Sequence, residues 1–206
     1  MTPGQNVFVI VFTLITFFRD LLMRQNFSED EWETLLQAPM QALVAVCLAD
    51  KVDPISFLKE VSAGVKLLSE EIKRSDLPGD LLPALLNATV ELDSQVPLSE
   101  EQLPLKKQFE LLELIQGFGN VKEAKRAVIT HFQKVSTILN AKVTGIEADH
   151  YKVWLMTLAE KVAQSQKEGG IMAIGASRIS DRESTVLKQL ATALNQVHVE
   201  NRSSVP

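Results

Sequence analysis

The chain has 206 residues and a net charge of -5, and 46% of its residues are hydrophobic while 23% are charged. These values are typical of a folded globular protein and exclude global disorder, and the length favours one domain or at most two small ones. A single cysteine excludes a disulfide framework and any multi-cysteine metal site.

The N-terminal extension, residues 1–26, contains an almost uninterrupted apolar run at residues 7–18. This run is shorter than the roughly 20 residues that a membrane-spanning helix needs. No cation precedes it and Arg19-Asp20 follows it, which is atypical of a secretory signal peptide. Three interpretations stay open: an anchor or other membrane contact through residues 7–18, a buried or surface-packed element, or a stretch upstream of a true start at Met23.

The next residues carry the start and stop signals of successive helices. Ser28 and Glu31 form a capping box, in which each side chain bonds the other residue's backbone amide, and the helix that follows is expected to end near Asp50. Asp53-Pro54 is typical of a second helix start. A third helix is predicted over about residues 80–92. The predicted apolar face of the second helix comprises Ile55, Leu58, Val61, Val65, Leu68 and Ile72.

Four further helix starts pair a capping residue with a carboxylate or amide three positions later: Ser99 with Gln102, Asn120 with Glu123, Thr144 with Glu147, and Ser180 with Glu183. Apolar residues at three- and four-residue spacing follow each start, and no strand alternation is sustained after residue 26. The sequence therefore predicts an all-α fold, a multi-helix bundle of about six to seven helices with short loops. Residues 27–195 would form a single helical domain, and residues 196–206 a flexible tail.

The segment from Gly169 to Ser177 has the glycine spacing of a phosphate loop, but Ala176 stands where that loop needs its lysine. The segment also follows a helix rather than a strand, so the sequence argues against nucleotide binding. Two interpretations stay open: a helix-ending turn whose apolar residues pack into the bundle, or a partner-binding loop. The candidate residues of this interaction loop are Gly169, Gly170, Ile171, Met172, Ile174 and Gly175.

Catalytic and metal-binding signals are sparse. Cys47 lies in an apolar helical run with no His or cation nearby in sequence, so it has the pattern of a buried thiol and not of a nucleophile. No two histidines have metal-ligand spacing. The candidate metal ligands are Asp50 with Asp53 at an interhelical turn, and Asp149 with His150 near a helix start, for which capping is the alternative role. No catalytic residue and no cofactor are predicted.

Several short segments carry a family resemblance. The turn from Ala49 to Asp53 resembles the acidic interhelical turn of tellurite-resistance TerB-like bacterial domains, and residues 178–194 are similar to their closing helix. The helix from Trp32 to Leu48 and residues 167–170 resemble segments of uncharacterised bacterial helical proteins. The similarity covers about a third of the chain and departs from the family at Lys51, where TerB-like domains have glycine. It implies a cytoplasmic bacterial helical module in stress response or in membrane-associated complexes, without enzymatic activity.

The charge distribution bears on the choice of partner. Residues 27–103 carry fifteen acidic and five basic side chains, whereas residues 104–206 carry ten acidic and fourteen basic ones. This asymmetry indicates either a polyanion-binding half or two halves that dock, so that their fields partly cancel. Because no dense Lys/Arg run occurs and aromatic residues do not interleave the cations of the helix from Asn120 to Lys142, the sequence argues against nucleic acid as the partner.

The functional prediction from sequence is a non-catalytic, cytoplasmic protein-interaction or stress-response module that binds one or more protein partners or forms a homo-oligomer. Two alternatives stay open. The first is a bundle that binds a small lipophilic ligand or a divalent cation. The second is a membrane-associated protein anchored by residues 7–18.

Overall fold

A computed structural model describes residues 18–50, 53–95, 97–143, 145–165 and 179–195, and these ranges contain helices and short connections but no strand. The predicted all-α bundle is therefore confirmed, with eight helices in these ranges instead of six or seven. They are α1 (residues 18–24), α2 (Glu29–Cys47), α3 (Pro54–Ile72), α4 (Leu81–Ser94), α5 (Gln102–Gln116), α6 (Val121–Lys142), α7 (Ile146–Ser165) and α8 (Asp181–Ala193).

Several predictions fall on other parts of the chain. Most of the apolar run at residues 7–18, the tail at residues 196–206 and the capping residue Thr144 lie outside the described residues. The same holds for the whole candidate interaction loop from Gly169 to Gly175.

Helix α2 forms the centre of the bundle. All seven residues at positions 41–47 are buried, and α2 contacts every helix from α3 to α8. A helix that is apolar on all sides must be enclosed by other elements, whereas an amphipathic surface helix buries one stripe. The other helices are therefore arranged around the second half of α2.

The predicted helix starts are confirmed where the structure describes them. Ser28 Oγ accepts from the Glu31 amide (3.2 Å) and Glu31 Oε2 accepts from the Ser28 amide (2.7 Å). Ser180 and Glu183 make the same reciprocal pair at the start of α8. Asp53 is the N-cap of α3. These bonds are local in sequence and satisfy amides that have no partner inside the helix, which explains why they could be predicted.

The orientation of α5 differs from the predicted one. The apolar spacing after Ser99 predicts an inner face of Leu105, Phe109, Leu112 and Ile115. Leu112 and Ile115 are partly buried against the core, but Leu105 and Phe109 are 53% and 65% exposed, whereas Lys107 and Leu111 are buried. Two polar contacts hold this orientation: the Lys107 ammonium lies 2.7 Å from an Asp93 carboxylate oxygen on α4, and Gln108 Nε2 donates to Ser62 Oγ on α3 (3.2 Å).

The described end of the N-terminal extension contacts the bundle. Asp20 Oδ2 accepts from Asn87 Nδ2 on α4 (2.7 Å), and Arg19 forms an ion pair with Asp80 (3.3 Å). Lys142 Nζ donates to the Asn26 carbonyl (3.2 Å). Helix α1 is therefore joined to the domain by polar contacts at α4, while Leu22 on α1 remains 62% exposed.

A buried carboxylate joins α3 to α7. Glu71 is 5% exposed, and its Oε2 accepts from Trp154 Nε1 (3.2 Å) and from Arg74 Nη1 (3.0 Å). Lys161 Nζ donates to the other oxygen. Burial by itself raises the pKa of Glu71, but the bonds from Lys161 and Arg74 outweigh it and leave the pKa below its ordinary value.

A second carboxylate links α7 to the start of α4. Glu147 Oε2 accepts from the backbone amides of Asp80 (2.9 Å) and Leu81 (3.1 Å) and so caps α4 from a distant part of the chain. The preceding Gly79 has φ +81°, and a Cβ at this position would collide with the Glu147 carboxylate. Glycine is therefore required at residue 79 both for the left-handed backbone and for the close approach of the cap.

Replacing Gly79 by alanine is expected to lower the free energy of unfolding by about 2–3 kcal/mol, combining the left-handed backbone penalty with loss of the Glu147 cap. Gly145 is the matched control, because its φ is +67° and a Cβ there meets nothing within 4 Å. Gly145→Ala should cost only the backbone penalty of about 1–2 kcal/mol. Urea unfolding measures both values, and equal losses would contradict the capping role of Glu147.

Glu71→Gln is expected to lower the free energy of unfolding by about 1–3 kcal/mol at pH 7, since it removes charge-assisted hydrogen bonds. Because the folded-state pKa of Glu71 is lowered from 4.5, this stabilisation is present above pH 4.5 and is lost as the pH falls through the folded pKa. Glu70→Gln is the control, because Glu70 has 60% side-chain exposure and lies 4.0 Å from Lys66. Urea unfolding between pH 3 and 7 measures this effect. The difference in the free energy of unfolding between the wild type and Glu71→Gln should shrink as the pH falls, whereas that for Glu70→Gln should not change with pH.

Candidate functional site

The predicted acidic turn lies between α2 and α3, where Asp53 acts as a helix cap. Its Oδ1 accepts from the amides of Ile55 (3.0 Å) and Ser56 (3.1 Å), and its Oδ2 accepts from Ser56 Oγ (2.6 Å). These bonds, with that from the Ser56 hydroxyl as the largest, lower the pKa of Asp53. Asp50 is half-buried beyond the end of α2. The capping alternative considered for Asp53 thus matches the structure.

Glu60 on α3 adds a carboxyl group near this turn that the sequence analysis did not select. Burial, followed by the charges of Glu183, Asp50 and Asp53, raises the pKa of Glu60 to about 7. No sequence motif marks Glu60, because it lies in the middle of a helix and its acidic neighbours come from α8 and the turn. We call Asp50, Asp53, Glu60 and Glu183 the acidic junction.

Cys47 lies in the core at the end of α2. Burial, with a smaller effect of the Glu60 charge, raises the pKa of the Cys47 thiol to about 12. A thiol in this state is protonated at neutral pH and is not a nucleophile, as the apolar sequence around it predicts.

The second metal candidate, Asp149 with His150 and Glu147 as a weak third ligand, lies in the first turn of α7, where carboxylates are also favoured by the helix dipole. Asp149 is exposed, and His150 Nδ1 is buried without a hydrogen-bond partner among the described residues. The neighbouring Glu147 is occupied by the cap of α4. Within the described ranges, no group of three or more His, Cys, Asp or Glu side chains is arranged to hold a metal ion. Metal binding at Asp50, Asp53, Asp149 or His150 therefore stays a prediction.

His131 on α6 contacts the central helix. Its Nε2 lies 2.9 Å from the Thr34 carbonyl oxygen, and because a carbonyl can only accept, Nε2 carries the proton. Burial lowers the pKa of His131, despite the opposing effect of this bond, so the ring is neutral at pH 7. His131 therefore occupies a position at the boundary of the core, between α6 and α2.

An exposed apolar surface lies on α3 and α5. Its members are Ile55 (67% exposed), Leu58 (53%), Leu105 (53%) and Phe109 (65%), which we call the α3–α5 apolar face. The bond between Ser62 and Gln108 joins the two helices beside Leu58 and Phe109. The helices run antiparallel, since the C-terminal part of α3 and the N-terminal part of α5 line one pocket. Periodicity alone could not reveal this face, because it predicts all four side chains inside.

A groove of about 840 Å³ lies between α6 and α8. It is lined by amide and hydroxyl side chains together with Lys125, Arg126 and Lys188, and no carboxylate is among its described lining residues. Lys125 Nζ is within 3.4 Å of the Ala49 carbonyl. The groove thus brings together part of the basic charge of the second half of the chain.

A second concave feature is a pocket of about 510 Å³ between the C-terminal part of α3, the second half of α4 and the start of α5. Its walls are mainly apolar, with Ile72, Val90 and Leu103 among them, and the ion pair of Asp93 and Lys107 also lines it. We call it the α3–α4–α5 pocket.

Comparison with known proteins adds no relatives: no protein-family model, no curated protein and no solved structure matches this chain. Among the described helices, none combines the length and the apolar character needed to cross a bilayer. Function has to be inferred from the surfaces and pockets of this molecule.

Glu60→Gln tests the electrostatics of the acidic junction. An unfolded glutamate ionises near pH 4.5, whereas folded Glu60 ionises near pH 7, so the wild-type protein loses stability as the pH rises between these values. The variant does not lose this stability. Its free energy of unfolding should exceed that of the wild type by an amount that grows from near zero at pH 5 to the order of 1 kcal/mol at pH 8, allowing for the partial exposure of Glu60. Thermal unfolding at both pH values measures this difference, with Glu70→Gln as the exposed control. A pH-independent difference would exclude the shifted pKa.

Proposed function

We propose that this chain is a non-catalytic protein-interaction module that binds through the α3–α5 apolar face. The observation that carries the proposal is the orientation of α5. This helix directs Leu105 and Phe109 outward, one turn apart, and α3, which is bonded to α5 through Ser62 and Gln108, exposes a second apolar pair. Adjacent large apolar side chains on the surface of a monomer are typical of an interface, and spacing by one helical turn is typical of helix-mediated recognition.

Three groups that could serve catalysis have other roles. The Cys47 thiol is buried with a raised pKa, His131 is neutral and bonded to α2, and Asp53 caps α3. These observations support a binding role over an enzymatic one.

We assign the partner as a second copy of the chain, on the basis of charge complementarity. Lys59 and Lys66 are exposed on α3, with Lys66 lying 4.0 Å from Glu70, whereas exposed Glu101 precedes α5 and exposed Glu113 lies near its C-terminal end. In a two-fold dimer formed through this face, α3 of one copy lies over α5 of the other. The two lysines of each copy then face the two glutamates of the other, while the four apolar side chains are removed from water.

Only the sequence resemblance supports a particular cellular role for this module. The TerB-like segments support a bacterial, cytoplasmic module in stress response, and self-association would let such a module act as a scaffold. A heterologous protein partner is the alternative occupant of the same face.

The double variant Leu105→Glu and Phe109→Glu is expected to abolish dimer formation, because each change puts a charge in the centre of the apolar contact. Sedimentation equilibrium of the full chain should give twice the 22.9 kDa monomer mass for the wild type and the monomer mass for the variant. We expect the dissociation constant to rise at least about 30-fold, which corresponds to about 2 kcal/mol.

Val153→Glu is the matched control, since Val153 is 52% exposed on α7, outside this face. It should leave the dimer intact. A monomeric wild type, or a dimer that survives the double substitution, would refute self-association through α3 and α5. Circular dichroism confirms that the helices persist in each variant.

A further inference from the structure

The α3–α4–α5 pocket has the size and character of a small-molecule site. Its volume of about 510 Å³ falls within the range of ligand pockets, roughly 300–1,000 Å³. The apolar side chains of Ile72, Val90, Leu98 and Leu103 line it, and the connection between α4 and α5 contributes Leu98. The pocket is therefore suited to the apolar part of a ligand.

The polar group of the pocket is a buried lysine that is only partly satisfied. Lys107 is 6% exposed, and its ammonium lies 2.7 Å from Asp93 Oδ2. An ammonium group has three N–H donors, and among the described residues Asp93 is the one acceptor that reaches it. Since a buried charge is costly unless its hydrogen bonds are completed, the remaining donors favour an acceptor placed in the pocket.

The strongest acceptor for these donors is an anion, because a hydrogen bond between two charged groups is stronger than one between neutral groups. Asp93 is shared, because the Lys106 ammonium lies 3.7 Å from its other oxygen. Lys106 is also paired with Glu110 at 3.0 Å, but the Glu110 side chain is 42% exposed and its charge is screened by water. The residues that line the pocket are balanced in charge, with Lys73 and Lys107 against Asp93 and Glu100, so a ligand carboxylate would be held by the open donors of Lys107 and not by a net positive charge.

We infer that the α3–α4–α5 pocket binds a lipophilic monocarboxylate, with its carboxylate on the Lys107 ammonium and its hydrocarbon chain against Ile72, Val90 and Leu103. This site is separate from the α3–α5 apolar face, whose members do not line it. Binding here gives the module a small-molecule input in addition to its protein contact, and neither activity requires the other.

The test is calorimetric titration of the full chain with sodium decanoate below its micelle concentration. We expect saturable binding of one decanoate per chain. Octanoate should bind about tenfold more weakly, since each buried methylene contributes about three- to fourfold in affinity. Decanol, which has the hydrocarbon chain without the anion, should bind at least about tenfold more weakly than decanoate.

Two variants and one control locate the site. Lys107→Met keeps a long side chain but removes the ammonium, and it should lower the affinity for decanoate at least about tenfold. Lys106→Met removes the same charge from the neighbouring residue, which also faces Asp93 but does not line the pocket, and should change affinity by less than about threefold. Leu103→Trp fills the pocket without a change in charge and should abolish binding.

The Leu103→Trp variant keeps the test decisive if Lys107→Met does not fold. No binding to the wild-type chain would overturn the inference. Equal binding to the wild type and Leu103→Trp would also overturn it, since the ligand would then adsorb elsewhere. A loss with Lys106→Met as large as that with Lys107→Met would show that net charge, and not the pocket ammonium, governs affinity.

Discussion

The burial of the second half of α2 is the constraint on which the rest of the bundle depends. Positions 41–47 have no solvent face, so helices must surround this segment. Two side chains also bind the α2 backbone: Tyr151 Oη donates to the Leu35 carbonyl (2.5 Å) and His131 Nε2 to the Thr34 carbonyl (2.9 Å). These directional hydrogen bonds hold α7 and α6 against α2 in addition to the apolar contacts, and the Tyr151 side chain is fully buried.

Enclosing α2 determines which helices remain available for binding. Helices α6 and α7 direct long apolar stripes inward, while α5 gives the core one fully buried apolar side chain, Leu111. A helix with so small a share of the core can be oriented by polar contacts instead, as Lys107 and Gln108 do here. The exposed pair Leu105 and Phe109 is therefore a consequence of how the core is completed by other helices.

What could be predicted from sequence follows the range of the interactions. The capping boxes at Ser28 and Ser180 depend on residues within one turn, and they were predicted correctly. The predicted inward positions of Leu105 and Phe109 were wrong because apolar residues surround much of α5, so the periodicity has no single solution. The orientation of α5 depends on Asp93 and Ser62, which lie on other helices, and the acidic neighbours of Glu60 are likewise distant in sequence.

The two buried charges Glu71 and Lys107 show why burial alone does not identify a binding site. Their exposures are nearly equal, 5% and 6%. Glu71 accepts from Trp154, Arg74 and Lys161, so its carboxylate is satisfied within the fold and serves to join α3 to α7. Lys107 has one carboxylate within reach in the described part of the chain and lies in the wall of an apolar pocket. A charge that the fold has removed from water without completing its hydrogen bonds favours a ligand that completes them, and this difference assigns a structural role to Glu71 and a binding role to Lys107.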